Sequence, residues 1–122
     1  TEYNKNMKKI RVLVYGTLKK GGSNHRLLSE SSLISSGLYQ IPNAQLKLPE
    51  GYAFPFLYKD SSQKSIPFYG EIFEITPETL KRLDHLEGHP DFYTREYIDS
   101  LDCFIYFCQN RDLKNVETIE NF

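Results

Sequence analysis

Apolar residues recur along this chain with two periods, and the change from one to the other marks its best-defined stretch. From Phe68 to Ile75 apolar and polar positions alternate well enough for a strand, with Phe68, Ile72 and Phe73 on it. After Thr76 the leucines recur every three residues, at Leu80, Leu83 and Leu86, which predicts an amphipathic helix. Thr76 is placed to cap it, Pro77 fits the first helical position, and Glu78 suits the positive helix start. Gly88 and Pro90 then stop it. At about 100° per residue the three leucines share a face centred near Leu83. Glu87 lies roughly 40° from that centre, Asp84 about 100° away at the rim, and His85 roughly 160° away and exposed. A carboxylate therefore falls where the helix should bury carbon.

The remaining segments are shorter. Residues 1–8 are polar and lack periodicity, which predicts a flexible arm ahead of a single domain over 9–110. The run Lys9–Tyr15 is β-branched and largely apolar, a first strand ending at Gly16-Thr17-Leu18 and the turn-rich Lys19–Ser23. Asn24 is placed to cap a short helix through His25, Leu27 and Leu28. Gly37–Gln40 and Gln45–Leu48 read as short strands broken by Pro42-Asn43, Phe54–Tyr58 as an extended apolar segment, and Lys59–Ser65 as a solvated loop. Tyr97-Ile98 and Leu101–Phe107 predict a closing hairpin. The polar tail, 111–122, is ambiguous between a short helix and disorder. Many short strands, one well-marked helix and no strand–helix alternation predict an α+β fold: a small mixed β-barrel of about six strands with flanking short helices.

Composition narrows the classes. The 122 residues form one domain with a single core. Fifteen Lys and Arg against sixteen Asp and Glu leave no electrostatic footprint for nucleic acid. No apolar run approaches the roughly 20 residues that span a bilayer, and no signal peptide is visible, so a cytoplasmic location is expected. Cys103 and Cys108 lie five apart on a strand-like segment, on opposite faces, and cannot bridge each other there.

Several chemistries fall away on spacing. Gly16-Thr-Leu-Lys-Lys-Gly21 follows a strand as a phosphate loop does, but Gly22-Ser23 stands where that motif needs its lysine. His85 and His89 flank Glu87 out of register for a zinc helix, and Gly88 and Pro90 end the helix before His89 shares a face with His85. No metal or cofactor is signalled. There is no Gly-x-Ser-x-Gly elbow, and no His lies near either Cys in sequence. What remains is Glu87, a glycine-bearing loop after the first strand that can offer backbone N–H groups to a small anion, and several tyrosines. Two readings of Glu87 stand: an ordinary exposed or salt-bridged glutamate on a frayed last turn, or a carboxyl whose pKa is raised by burial and the helix dipole.

The segment Val14–Gly21 followed by Asn24-His25 resembles the opening motif of the gamma-glutamyl cyclotransferase-like family, with its gamma-glutamylamine cyclotransferase branch the most similar. Phe54–Leu57, Gly70–Phe73, Leu83–Gly88 leading to Tyr93-Thr94-Arg95, and Cys103–Tyr106 match further segments in order, so the resemblance covers roughly residues 10–108. It implies a compact barrel around a cavity for a small gamma-glutamyl substrate. The implied reaction has the substrate's own α-amine attack its γ-carbonyl, releasing an amine and 5-oxoproline. Glu87 would then be the general acid/base. Tyr15, Gly16, Thr17 and Leu18 would bind the α-carboxylate and amine largely through backbone groups, and Tyr93 matches a pocket tyrosine. Phe54 stands where the family often has Tyr, and the substrate-selecting middle, Gly37–Ser65, does not align. A catalytically silent member, acting as a small-molecule binding or interaction module, is the alternative.

Overall fold

A computed structural model describes residues 9–122, so the arm expected at 1–8 lies outside the described residues. The strands are β1 (Ile10–Val14), β2 (Ser32–Tyr39), β3 (Ala44–Lys47), β4 (Phe56–Lys59), β5 (Phe68–Ile75), β6 (Tyr93–Ile98) and β7 (Cys103–Cys108), with one helix, α1 (Pro77–Glu87). Five of the strands form one mixed sheet in the order β2-β5-β1-β7-β6. β1 lies at its centre, antiparallel to β5 and parallel to β7. That position explains the nearly continuous apolar run of β1, since a central strand covered on both faces has no solvent side to encode. Val12 and Val14 face α1, and Leu13 faces the opposite layer.

The layers follow from strand alternation. On one face Leu13, Phe68, Ile72, Ile105 and Phe107 pack against Leu46 and Leu57 of the β3–β4 ribbon. On the other, Val12, Val14, Phe73, Ile75 and Tyr106 pack beneath Leu83 of α1 and Leu28 of a 3₁₀ turn, His25–Leu28. The expected closed barrel does not form. Among the described residues β3 and β4 form a separate two-stranded ribbon, with one further bridge from Lys47 to Thr118, and β2 and β6 are the outer strands of the larger sheet. The ribbon strands are four residues each and lie flat on the sheet, burying Ala44, Leu46 and Leu57 face-on instead of extending the hydrogen-bonded ladder.

α1 begins and ends where local signals placed it. The Thr76 hydroxyl accepts from the Thr79 N–H at 3.2 Å, and Gly88 takes the left-handed conformation, φ 65°, with its N–H on the Asp84 and His85 carbonyls. The leucine face is not uniformly buried: Leu83 is fully enclosed, Leu80 half-buried, and Leu86 exposed. Beyond β7 the polar tail forms neither helix nor loose chain. Leu113 is buried, the Ile119 N–H donates to the Leu46 carbonyl at 2.8 Å, and Thr118 pairs with Lys47. Lys47, 2 % exposed, donates to the Lys114 and Val116 carbonyls and the Thr118 hydroxyl, so a buried ammonium is satisfied entirely by tail oxygens. No helix among the described residues is long and apolar enough to cross a membrane.

Candidate active site

Where β1 leaves the sheet, the chain makes a one-turn 3₁₀ helix over Gly16–Leu18. The first three N–H groups of such a turn have no acceptor inside it. Those of Gly16, Thr17 and Leu18 find none elsewhere among the described residues. The turn is braced from behind. Asn24 donates through its N–H to the Thr17 carbonyl and through its side chain to the Thr17 hydroxyl, each at 2.9 Å, and the buried Glu71 carboxylate accepts the Lys20 N–H at 2.6 Å. Asn24 was expected to cap the following 3₁₀ turn. Its side chain instead ties that turn to Thr17.

Gly22 permits this brace. A Cβ there would lie 2.2 Å from the Thr17 carbonyl oxygen, the same oxygen that Asn24 engages. Backbone has to move to relieve such a clash. Gly22→Ala is expected to cost about 2 kcal/mol in denaturant unfolding, the scale of an overpacking change. Amide chemical-shift changes should concentrate at residues 16–24.

The turn forms one wall of a cavity of about 580 Å³, within the range of small-molecule sites. The end of α1 lines it as well. Glu87, Gly88, His85 and Leu86 line it together with Tyr15, Gly16, Thr17 and Tyr93. Glu87 is half-buried and no ion pair holds it among the described residues. Burial alone pushes its carboxyl up to about 7. Half-buried and without an ion pair among the described residues, Glu87 is not the ordinary exposed or salt-bridged glutamate of the first reading. Burial, and then the nearby Glu87 charge, push the Tyr93 hydroxyl above the ordinary tyrosine range, so it stays protonated and able to donate. Tyr93 stacks on Phe56 at 5.9 Å with the rings 9° from parallel. Tyr15 is committed elsewhere: its hydroxyl donates to the Tyr106 carbonyl at 2.5 Å.

Leu18 does not join this wall. Its side chain is buried in the core with Val12, Val14 and Leu28, leaving only its backbone toward the turn. Asp84 is not a rim residue either. Its carboxylate accepts from Arg95 Nε at 2.9 Å, from a second Arg95 nitrogen at 3.0 Å and from the Tyr106 hydroxyl at 2.6 Å. Burial would raise its pKa, but these donors outweigh it and hold the carboxyl below the usual carboxylate range. The network ties α1 to β6 and β7. Its partners lie 11 and 22 residues away, beyond the reach of helix-face geometry. Arg111, from the tail, also reaches the cavity. No pattern in the polar tail marks it.

Among the described residues no three His, Cys, Asp or Glu side chains cluster as a metal would require. Both cysteines are buried free thiols, raised to about 11 chiefly by burial. The arrangement is a half-buried carboxyl with a raised pKa and a turn with unengaged N–H groups, lining one cavity.

Known proteins share this framework. A crystal structure of an AIG2-like protein from Mus musculus superposes with a TM-score of 0.76 over 93% of this chain and 88% of its own, at 23% identity. A protein of Methanocaldococcus jannaschii with a provisional gamma-glutamylcyclotransferase name is 34% identical over 109 residues, covering 79% of this chain and 82% of its own length. Gamma-glutamylaminecyclotransferase A of Danio rerio is 34% identical over 112 residues, covering 80% and 68%. The sequence model of one family, gamma-glutamyl cyclotransferase, AIG2-like, matches residues 12–121, which takes in β1 from Val12 onward, the cavity lining and the packed tail. The chain belongs to the gamma-glutamyl cyclotransferase, AIG2-like family.

Proposed function

We propose that the protein cyclises a gamma-glutamyl amine or related gamma-glutamyl compound to 5-oxoproline and a free amine, with Glu87 as the proton carrier. The observation that supports this reading is a carboxyl with a pKa near 7 lining the same cavity as Gly16 and Thr17, whose N–H groups have no acceptor among the described residues. A substrate carboxylate that accepts from those N–H groups leaves the neighbouring α-ammonium within the cavity that Glu87 lines. Glu87 takes one proton from it, and the freed nitrogen pair attacks the γ-carbonyl carbon of the same molecule. The carbonyl π electrons move to oxygen. The protonated Glu87 then delivers its proton to the departing nitrogen as the C–N bond breaks, and a second proton shed by the ring nitrogen completes the released ammonium. Turn N–H groups and the Tyr93 hydroxyl, which no described residue engages, supply donors for the transient oxyanion.

The demands on the protein are small. Attacker and target sit in one molecule, so effective molarity is high and the site has only to fold the substrate and move protons. A carboxyl near 7 is matched to both directions of transfer. A cytoplasmic setting suits two buried, unpaired thiols.

The test is direct. Purified protein is incubated with gamma-glutamyl-ε-lysine, a simple gamma-glutamyl alkylamine and several gamma-glutamyl dipeptides, and 5-oxoproline is quantified. Turnover of at least one class is expected. Absence of product across the panel, with small carboxylates still binding in the cavity, would make the protein a binding module.

A further inference from the structure

The cavity has a second charged residue that the cyclisation chemistry does not use. Arg111 is the one permanently cationic side chain among the lining residues, and it stands exposed at the mouth. Its guanidinium lies over the Phe56 ring at 4.8 Å and the Tyr52 ring at 5.7 Å, so two aromatic faces orient it. One nitrogen donates to the Tyr52 hydroxyl at 3.3 Å. Among the described residues no carboxylate lies within ion-pair distance of it, and the neighbouring Asp112 instead approaches Lys114 at 3.9 Å. A guanidinium has five N–H donors in a planar fork. Here the fork is held in place and largely unpaired, at the opening of a cavity.

Its position relative to Glu87 decides what it would meet. Phe56 lies under Arg111 and stacks in turn on Tyr93, so the aromatic wall runs from the Glu87 side of the cavity out to the guanidinium. The Arg111 charge is felt at Tyr93, where it opposes the burial-driven rise, but burial alone accounts for Glu87. Along that wall Phe56 and Tyr93 stand between Arg111 and Glu87.

We propose that Arg111 is a specificity-determining residue that selects gamma-glutamyl compounds whose departing amine carries a carboxylate. This rests on the cyclotransferase reading for the orientation of the substrate. One cation with a planar fork matches one carboxylate, and a departing group that is itself purely cationic would be repelled. Phe54, Phe56 and Phe92 supply apolar surface for a methylene chain between the scissile bond and that carboxylate.

The experiment uses a matched pair, gamma-glutamyl-ε-lysine and gamma-glutamylcadaverine, which differ only by the lysine carboxylate. The wild-type protein is expected to favour the lysine compound through KM by about tenfold at low ionic strength, the scale of one charge-assisted contact, with the preference falling as salt is added. Arg111→Ala should bring the ratio of KM values for the two compounds close to one. Arg111→Lys should restore part of it, and Arg111→Glu should invert it. Equal ratios in all four proteins would overturn the proposal. An equal KM loss for both compounds in Arg111→Ala would also overturn it, by placing Arg111 on the glutamyl carboxylate. If the wild type turns over neither these compounds nor any other member of the gamma-glutamyl panel, the cyclotransferase reading fails by itself. The Arg111 assignment is then decided by calorimetric Kd ratios for the same pair, taken in the Glu87→Gln background so that neither compound is consumed. The same preference, lost in the Arg111→Ala double variant, upholds it, and equal Kd values overturn it.

Discussion

Glu87→Gln is expected to lower kcat for 5-oxoproline formation roughly 10³-fold while leaving KM within a few-fold, because it removes proton transfer and keeps shape. In the wild type, kcat/KM should climb with pH and level off above about 7, where Glu87 is ionised. The variant's residual activity should lack that limb. Stability should move the other way. The native Glu87 holds its proton up to about 7, whereas the unfolded residue releases it near the ordinary glutamate value of 4.5. Between those values the folded state binds more protons, so stability falls as pH rises through the window. The penalty is absent below it and complete above it, at most about 3 kcal/mol for a shift of this size. Glu87→Gln escapes it. Its melting temperature should match the wild type near pH 4 and exceed it at pH 8. An inactive variant that is more stable only at alkaline pH separates a functional carboxyl from a structural one. Product formation undiminished in Glu87→Gln would sink the mechanism.

What could be read from the sequence was what local chemistry encodes. β5 occupies Phe68–Ile75 because its alternation serves two buried faces, and α1 runs from the Thr76 cap to Gly88 because both stop signals act within one turn. The hairpin of β6 and β7 forms as expected, although β6 begins at Tyr93, four residues earlier than the apolar signal at Tyr97. β2 was legible only in its second half. Its first residues, Ser32–Ser36, are exposed on an edge strand, and an edge with no buried face leaves no period in the sequence. Barrel closure was a tertiary question: whether the β3–β4 ribbon pairs at an edge or lies on a face depends on shape complementarity with Leu13 and Phe107, not on either strand's own pattern.

The same division runs through the site. Glu87 stood out because it broke the leucine face, and the Tyr15–Thr17 segment because Gly16 interrupts a strong strand. The structure brings these residues and Tyr93 to one cavity. Leu18 continues the Val12 and Val14 face into the core, which a motif match read as one unit does not distinguish. Arg111 and Lys47 depend on where the tail lies. A tail anchored by a few separated contacts, such as Leu113 and Ile119, has no period to detect.

Asp84→Ala is expected to destabilise the fold by about 3 to 4 kcal/mol, more than most surface-helix substitutions, because it strands the groups that the carboxylate satisfies. The Arg95 and Asp84 side chains are only 21% and 22% exposed, and Tyr106 is buried. Without Asp84 the guanidinium stays partly buried without its counter-charge, and the Tyr106 hydroxyl loses its acceptor. Removing Arg95 as well should recover part of the loss, so the Asp84→Ala/Arg95→Met double variant is expected to be less destabilised than the two single changes predict together. That coupling separates an orphaned charge from a simple packing defect. The pH dependence has the opposite sign to that of Glu87. The folded Asp84 carboxyl is held below its unfolded value, so its contribution is present above the ordinary aspartate range and is lost as pH falls through the depressed native value. Asp84→Asn should therefore flatten the acid limb of a melting-temperature profile below about pH 4, where Glu87→Gln leaves it unchanged. Tyr106 joins the two effects: its hydroxyl binds Asp84 while its carbonyl holds the Tyr15 hydroxyl. Loosening Tyr106 releases the cavity wall at Tyr15, so activity surviving in Asp84→Asn should show a raised KM with the same pH limb near 7. Loss of that limb would mean that Asp84, and not Glu87, sets it.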